Sequence, residues 1–228
     1  DSVMVDFGVA TRELAFQKGD EWAETITREF ARLTNTNRIV LEMEKVYMPY
    51  LLMNKKRYVG LMYTKNSTGD VVYDYMDAKG IELVRRDNCL LAKSVQQAVL
   101  DRLLHDRDPH GACEEVRAHL RRVVADEYDQ THYLMSRARG AQYKNTNLPH
   151  IRVVEKMEAR VKGSAPRVGD RVPYVLVETK ALDALGCDKA EDPAYATRAQ
   201  LKIDRLYYVE HQIVEPITDV LKFVEEIG

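Results

Sequence analysis

Four consecutive residues, Lys55-Lys56-Arg57-Tyr58, carry the densest positive charge in the chain. Three cations beside an aromatic ring suit a surface that grips phosphates and follows a groove. Alternation along an extended backbone sends Lys56 and Tyr58 to one face and Lys55 and Arg57 to the other, so they cannot all share one phosphate. Lysines at a sheet edge also discourage aggregation, and spacing alone leaves both readings open. A second cluster runs Lys79-Gly80-Ile81-Glu82-Leu83-Val84-Arg85-Arg86-Asp87. Gly80 permits close backbone approach, and Asp87 is placed to pair with either arginine. Residues 132–171 hold nine basic and three acidic side chains, among them Arg137, Arg139, Lys144 and Arg171, with Tyr133 and Tyr143 interleaved. Such a block suits phosphate backbone, or else a solvated helix face. Glu42 and Glu44 share one face of an expected strand, where paired carboxylates suit a divalent cation or are plain surface charge.

Local segregation matters because the overall balance does not announce a nucleic-acid binder. The formal net charge is −2, and residues 1–45 carry nine acidic against six basic side chains. Cys89, Cys113 and Cys187 are widely spaced, with no C-x-x-C pair, which argues against a disulfide framework and against a zinc or iron–sulfur site and fits a reducing compartment. No apolar run approaches the roughly 18 residues of a membrane span, and the first residues lack the pattern of a signal peptide. Asp1 leads straight into an apolar alternation without an initiating methionine, which reads as a piece of a longer chain that starts within a strand.

The elements that must position these side chains divide near residue 87. Asp1 to Val9 alternates as a strand. Asp20 is a plausible cap for a helix with Trp22, Ile26, Phe30 and Leu33 inward. Strands are expected at Arg38–Glu44, Tyr47–Met53 and Lys55–Thr64, followed by a hairpin loop over 65–70 and a returning strand from Val71 to Met76. Beyond residue 87, Asp87 or Asn88 is expected to cap a helix with Leu91, Val95, Ala98, Val99 and Leu103 on one face. Asp108-Pro109 starts a second helix, and Pro149 a third with Ile151, Val154, Met157 and Val161 inward. Arg171–Glu178 reads as a strand, and Arg205–Val224 as a helix broken or kinked near Pro216.

Five blocks, in order along nearly the whole chain, resemble the B-family DNA polymerases, with wording nearest to their delta catalytic subunits. Asp1-Ser2-Val3-Met4 resembles the tail of the family's Tyr-Gly-Asp-Thr-Asp-Ser motif, and Leu41 to Leu52 the palm strands that follow it. Lys55-Lys56-Arg57-Tyr58-Val59-Gly60-Leu61 matches the family's KKRY element. Lys79-Gly80-Ile81-Glu82 with Val84-Arg85-Arg86-Asp87-Asn88-Cys89 matches its palm-to-thumb junction. Gly163-Ser164-Ala165-Pro166 with Val168-Gly169-Asp170-Arg171-Val172 resembles a thumb segment. Arg137 and Arg139 stand where the family often has lysine, which keeps the charge and changes the geometry.

The resemblance implies an α+β fold: an antiparallel palm sheet with a packed helix over residues 1–87, then a mostly helical thumb with short strands over 88–228. It implies part of a DNA-directed DNA polymerase that transfers a nucleotide from a dNTP to a primer 3′ hydroxyl with two Mg²⁺ ions. Asp1 would ligate those ions and Glu44 would be an accessory metal carboxylate. Lys55, Lys56, Arg57 and Tyr58 would track the minor groove of the primer–template, Lys79, Arg85 and Arg86 would lie near the primer backbone, and Arg137, Arg139, Lys144 and Arg171 would hold the duplex. The first motif aspartate, the nucleotide-binding helix and any exonuclease domain would lie elsewhere, leaving this piece inactive alone. Primer–template DNA is the expected partner, with accessory subunits and a sliding clamp beyond these residues. A nucleus or a viral replication site is the expected location, with no membrane. A duplex-binding module that kept the grip and lost the chemistry is the alternative.

Overall fold

Alternating residues between 46 and 79 build an antiparallel meander of three strands: Val46–Asn54 (β1), Arg57–Lys65 (β2) and Val71–Lys79 (β3), in the order β1-β2-β3. The computed structural model describes residues 2–181 and 184–222. The chain divides into two compact units, the first ending at Lys79 and the second beginning at Gly80. Together they make an α+β protein, as expected.

In the first unit a long helix, Arg12–Thr34 (α1), precedes the meander. Its cap is Thr11, whose hydroxyl accepts from the Leu14 N–H at 3.3 Å, and not Asp20, which lies inside the helix and pairs with Lys65 at 2.5 Å. Burial also departs from the expected stripe. Ala15, Phe16 and Gly19 are buried, whereas Trp22, Phe30 and Leu33 are exposed. The reason is a tight approach: the Met43 side chain occupies the space that a Cβ at Gly19 would fill. β2 is the central strand, and Val59 through Tyr63 are all buried, as a strand covered on both faces requires.

Two expected strands are absent. Residues 2–9 and 38–44 are irregular and have no strand neighbour among the described residues. Their backbone groups find local partners instead. The Gly8 N–H donates to the Asp6 carboxylate at 2.8 Å, and the Leu41 N–H donates to Thr27 Oγ1 on α1 at 2.9 Å. Glu42 and Glu44 therefore do not share a strand face. Lys55 and Lys56 also leave the strand. They are the turn between β1 and β2, closed by the pair Asn54 and Arg57, with Lys56 at φ 63°.

In the second unit Leu90–Leu104 (α2) packs on Pro109–Val124 (α3). Asp108 caps α3 as expected, accepting from the Gly111 N–H at 2.8 Å. α2 is capped by Cys89, whose sulfur accepts from the Ala92 N–H. Asp87 and Asn88 are engaged elsewhere, with Arg85 and with the Glu82 carbonyl. The unit begins before residue 87 because Gln96 on α2 is buried and draws the preceding turn onto the helix. Its Oε1 accepts from the Leu83 N–H at 2.6 Å and its Nε2 donates to Glu82 at 3.0 Å.

Three short strands, Met135–Ala138 (β4), Arg171–Leu176 (β5) and Ala190–Glu191 (β6), form a second antiparallel sheet in that order. Pro149–Arg160 (α4) packs against it, burying His150, Val153 and Val154, while the expected Val161 is exposed at its end. Pro193–Arg198 (α5) follows β6. Arg205–Tyr208 (α6), a π-helical segment Val209–Val214 and Glu215–Leu221 (α7) close the described chain. The expected interruption near Pro216 is this widened turn, placed just ahead of a residue that has no N–H to donate; Val224 lies outside the described residues. Tyr208 ties the unit together at its core, donating to the Tyr133 carbonyl at 2.7 Å and accepting from the Leu176 N–H at 2.9 Å.

Candidate nucleic-acid interface

The meander carries a set of polar side chains on one face. Register places Tyr47 opposite Met62, Tyr50 opposite Gly60, and Gly60 opposite Asp77; Tyr58 stands opposite Lys79. Partners directly opposite in a ladder share a face, so Tyr47, Tyr50, Tyr58, Asp77 and Lys79 converge. The three tyrosine rings lie 5.3–5.9 Å apart, in tilted and edge contacts. Gly60 makes room for them: a Cβ there would stand 3.0 Å from the Pro49 carbonyl and from the Tyr50 ring.

Asp77 is buried beneath these rings. Tyr47 donates to one carboxylate oxygen at 2.6 Å and Lys79 reaches the other at 3.0 Å. Burial pushes the carboxyl up, but the hydrogen bonds from Tyr47 and Lys79 prevail and hold it below the usual range. The same contacts raise the Tyr47 hydroxyl, chiefly through burial and then through Asp77, and Asp77 raises Lys79. Lys55 and Lys56 stand exposed at the adjoining turn and form no ion pair with a described residue. Arg57 and Tyr58 are half-buried. This edge offers free cations at a turn, aromatic surface, and one lysine held by a buried acid.

The second unit contains a cleft of about 430 Å³ lined by Arg86, Asp87, Arg137, Ala138, Tyr143, Leu148, His150 and Arg171. Three arginines from separate stretches of sequence thus line one cleft, and one of them, Arg137, reaches its carboxylate. Asp87 accepts twice from Arg85, at 3.0 and 2.8 Å, and once from Arg137 at 3.1 Å. The Arg85 hydrogen bonds draw its pKa down to about 2. Arg171 is fixed by Ser136 Oγ at 3.0 Å and by the Arg86 carbonyl at 3.3 Å. Tyr143 and His150 meet at 3.1 Å, and burial, then Arg137, lowers the His150 pKa. A concave surface on which the Arg137 and Arg171 guanidiniums are held in place suits a phosphate group.

Some expected residues lie outside both groups. Arg139 donates to the Pro166 carbonyl at 2.5 Å and so braces the loop before β5. Lys144 is exposed, and neither residue lines the cleft. Asp1 lies outside the described residues. The Glu44 side chain is 71% exposed and stands 3.5 Å from Lys45. Among the described residues no three Asp, Glu, His or Cys side chains gather as a metal site. Residue patterns missed Tyr47, Tyr50, Asp77 and His150. Strands are depleted in aspartate, but β3 has two, and only the structure separates the exposed Asp74 from the buried Asp77.

A sequence profile described as DNA polymerase family B matches residues 1–224. DNA polymerase delta catalytic subunits are similar over 97% of this chain: 40% identical in Drosophila melanogaster, 41% in Glycine max and 38% in Schizosaccharomyces pombe. The chain spans 19–20% of the length of those relatives. Among solved structures, the family B DNA polymerase of the archaeon Pyrobaculum calidifontis shares the fold, with a TM-score of 0.55 at 23% identity, over 90% of this chain and 24% of that one. With the profile running through both units, from the tyrosine-faced meander to the arginine cleft and beyond it, the chain belongs to DNA polymerase family B.

Proposed function

We propose that this chain is part of a replicative DNA-directed DNA polymerase of the delta catalytic type and that its own task is to hold primer–template duplex. On this reading residues 1–87 are the later part of the palm and residues 88–228 the thumb. The observation that supports it best is that each unit carries a cationic surface of its own, the Lys55–Lys56 turn in the first and the cleft of Arg86, Arg137 and Arg171 in the second. Backbone contacts of this kind bind without strong sequence preference. Lys55, Lys56, Arg57 and Tyr58 are assigned to the minor groove of the duplex, Lys79, Arg85 and Arg86 to the neighbourhood of the primer backbone, and Arg137, Arg139, Lys144 and Arg171 to the duplex held by the thumb.

Nucleotide transfer belongs to the complete polymerase, with dNTP as its substrate and Mg²⁺ as its cofactor. Asp1 and Glu44 are assigned to the neighbourhood of the metal ions. Accessory subunits, a sliding clamp and a nuclear or viral replication site complete the reading.

The test is binding of the isolated 228-residue chain to primer–template duplex across a salt series, together with a nucleotide-incorporation assay. Weak binding that falls steeply with salt and no primer extension are expected. Salt-independent binding, no binding at low salt, or robust synthesis by the chain alone overturns the proposal.

A further inference from the structure

We infer that Asp77, supported by Tyr47, is a positioning residue that makes Lys79 a fixed hydrogen-bond donor at the duplex surface, an inference that rests on the duplex-grip reading above. A buried carboxylate is costly, and the sheet has no need of it, because an apolar residue would pack there at less cost. Asp77 is nevertheless only 3% exposed, in the strand that ends at Lys79. What it holds explains its presence. Tyr47 donates to one oxygen, leaving the other for the Lys79 ammonium at 3.0 Å. Tyr47 is itself held by the Tyr50 and Tyr58 rings, and Lys45 is a further cation that acts on Asp77.

The consequence is a division of labour among the lysines. Lys55 and Lys56 are exposed and unpaired among the described residues, so they supply mobile charge. Lys79 has its charge largely balanced by Asp77, so it contributes less long-range attraction. An ammonium has three N–H donors. One goes to Asp77, and the Lys79 side chain remains 56% exposed, so others face outward from a fixed position. A lysine ordered in advance loses less freedom on contact than a floating one. A lone donor of this kind suits the minor groove, where A·T and T·A pairs present the same acceptors, and it would read those acceptors without discriminating sequence strongly.

The test uses the whole chain and two readouts. Nitrogen-15 NMR of the Lys79 ammonium needs no DNA. It is expected to show a slowly exchanging group that titrates above ordinary lysine, returns to the ordinary value in Asp77→Asn, and moves part of the way in Tyr47→Phe. Duplex binding is then compared for adenine and for 3-deazaadenine, which lacks the groove acceptor. The analogue should weaken wild-type binding roughly tenfold and Asp77→Asn binding less than about twofold. Low-salt affinity of Asp77→Asn for unmodified duplex should hold or rise, because a negative charge is gone. Should Asp77→Asn not fold, Tyr47→Phe decides by the same readouts. An ordinary Lys79 in the wild type overturns the inference, as does an unchanged analogue penalty in the variant. A wild-type chain that binds no duplex at low salt overturns the grip reading and this inference with it. A wild-type chain that binds while the variant keeps the penalty overturns the positioning role alone.

Discussion

Asp87 is the residue on which the arginine cleft turns. It lies in a run of cations, and its carboxylate takes two of the three guanidinium nitrogens of Arg85 and one of Arg137. Its pKa of about 2 in the folded chain lies below the ordinary aspartate value. A depressed acid contributes stability that is fully present above the unfolded pKa, about 4, and is lost as pH falls towards the folded one. Asp87→Asn should therefore be roughly 1–2 kcal/mol less stable at neutral pH, with allowance for the half-exposed Arg85. Urea unfolding of both proteins across pH checks this. The gap should be constant above about pH 5 and should close towards about pH 2. A gap that does not depend on pH would mean that Asp87 acts through packing.

At the scale of elements, the Lys55–Lys56 turn separates charge from architecture. Lys56 adopts φ 63°, a conformation that costs a side chain and suits glycine. Lys56→Gly relieves that cost while it loosens the unfolded chain, so stability should stay within about 1 kcal/mol of wild type. Duplex affinity should nevertheless fall, because an exposed cation has gone. Thermal unfolding and duplex titration on the same samples test this, and a parallel loss of both would assign Lys56 to the hairpin alone. The elements also show what pattern reading reaches. β1, the returning strand β3, the Asp108 cap of α3 and the proline start of α4 follow from local chemistry, and all are present. The strands expected at residues 2–9 and 38–44 are not, because alternation describes a backbone ready to pair and does not supply a partner. The start of α1 moved for a similar reason. Thr11 and Asp20 are both good caps, and the seating of Phe16 and Gly19 in the core selects between them.

For the molecule as a whole, charge is distributed rather than abundant. A chain of net charge −2 attracts a polyanion only where its cations gather, at the turn in the first unit and the cleft in the second. If both surfaces engage one duplex, their contributions to the salt dependence add. Each phosphate contact removed should lower the slope of log affinity against log salt by about 0.9. Lys55→Ala with Lys56→Ala, and separately Arg137→Ala, should each flatten the slope, and the combined variant should flatten it by the sum. A combined variant no flatter than one parent would mean that only one surface touches DNA.

The sequence by itself determined the α+β class, the family, most of the helices and the stretches where positive charge collects, because these depend on residue type and local spacing. It did not determine which cations stay free and which are held. Arg86, Arg137 and Arg171 come together only when β4, β5 and the segment before α2 pack around Asp87, and Lys79 becomes a held donor only when the strand register sets Asp77 under Tyr47. Both are contacts between residues far apart in the chain, and long-range pairing of that kind is decided by burial and register, which local spacing does not encode.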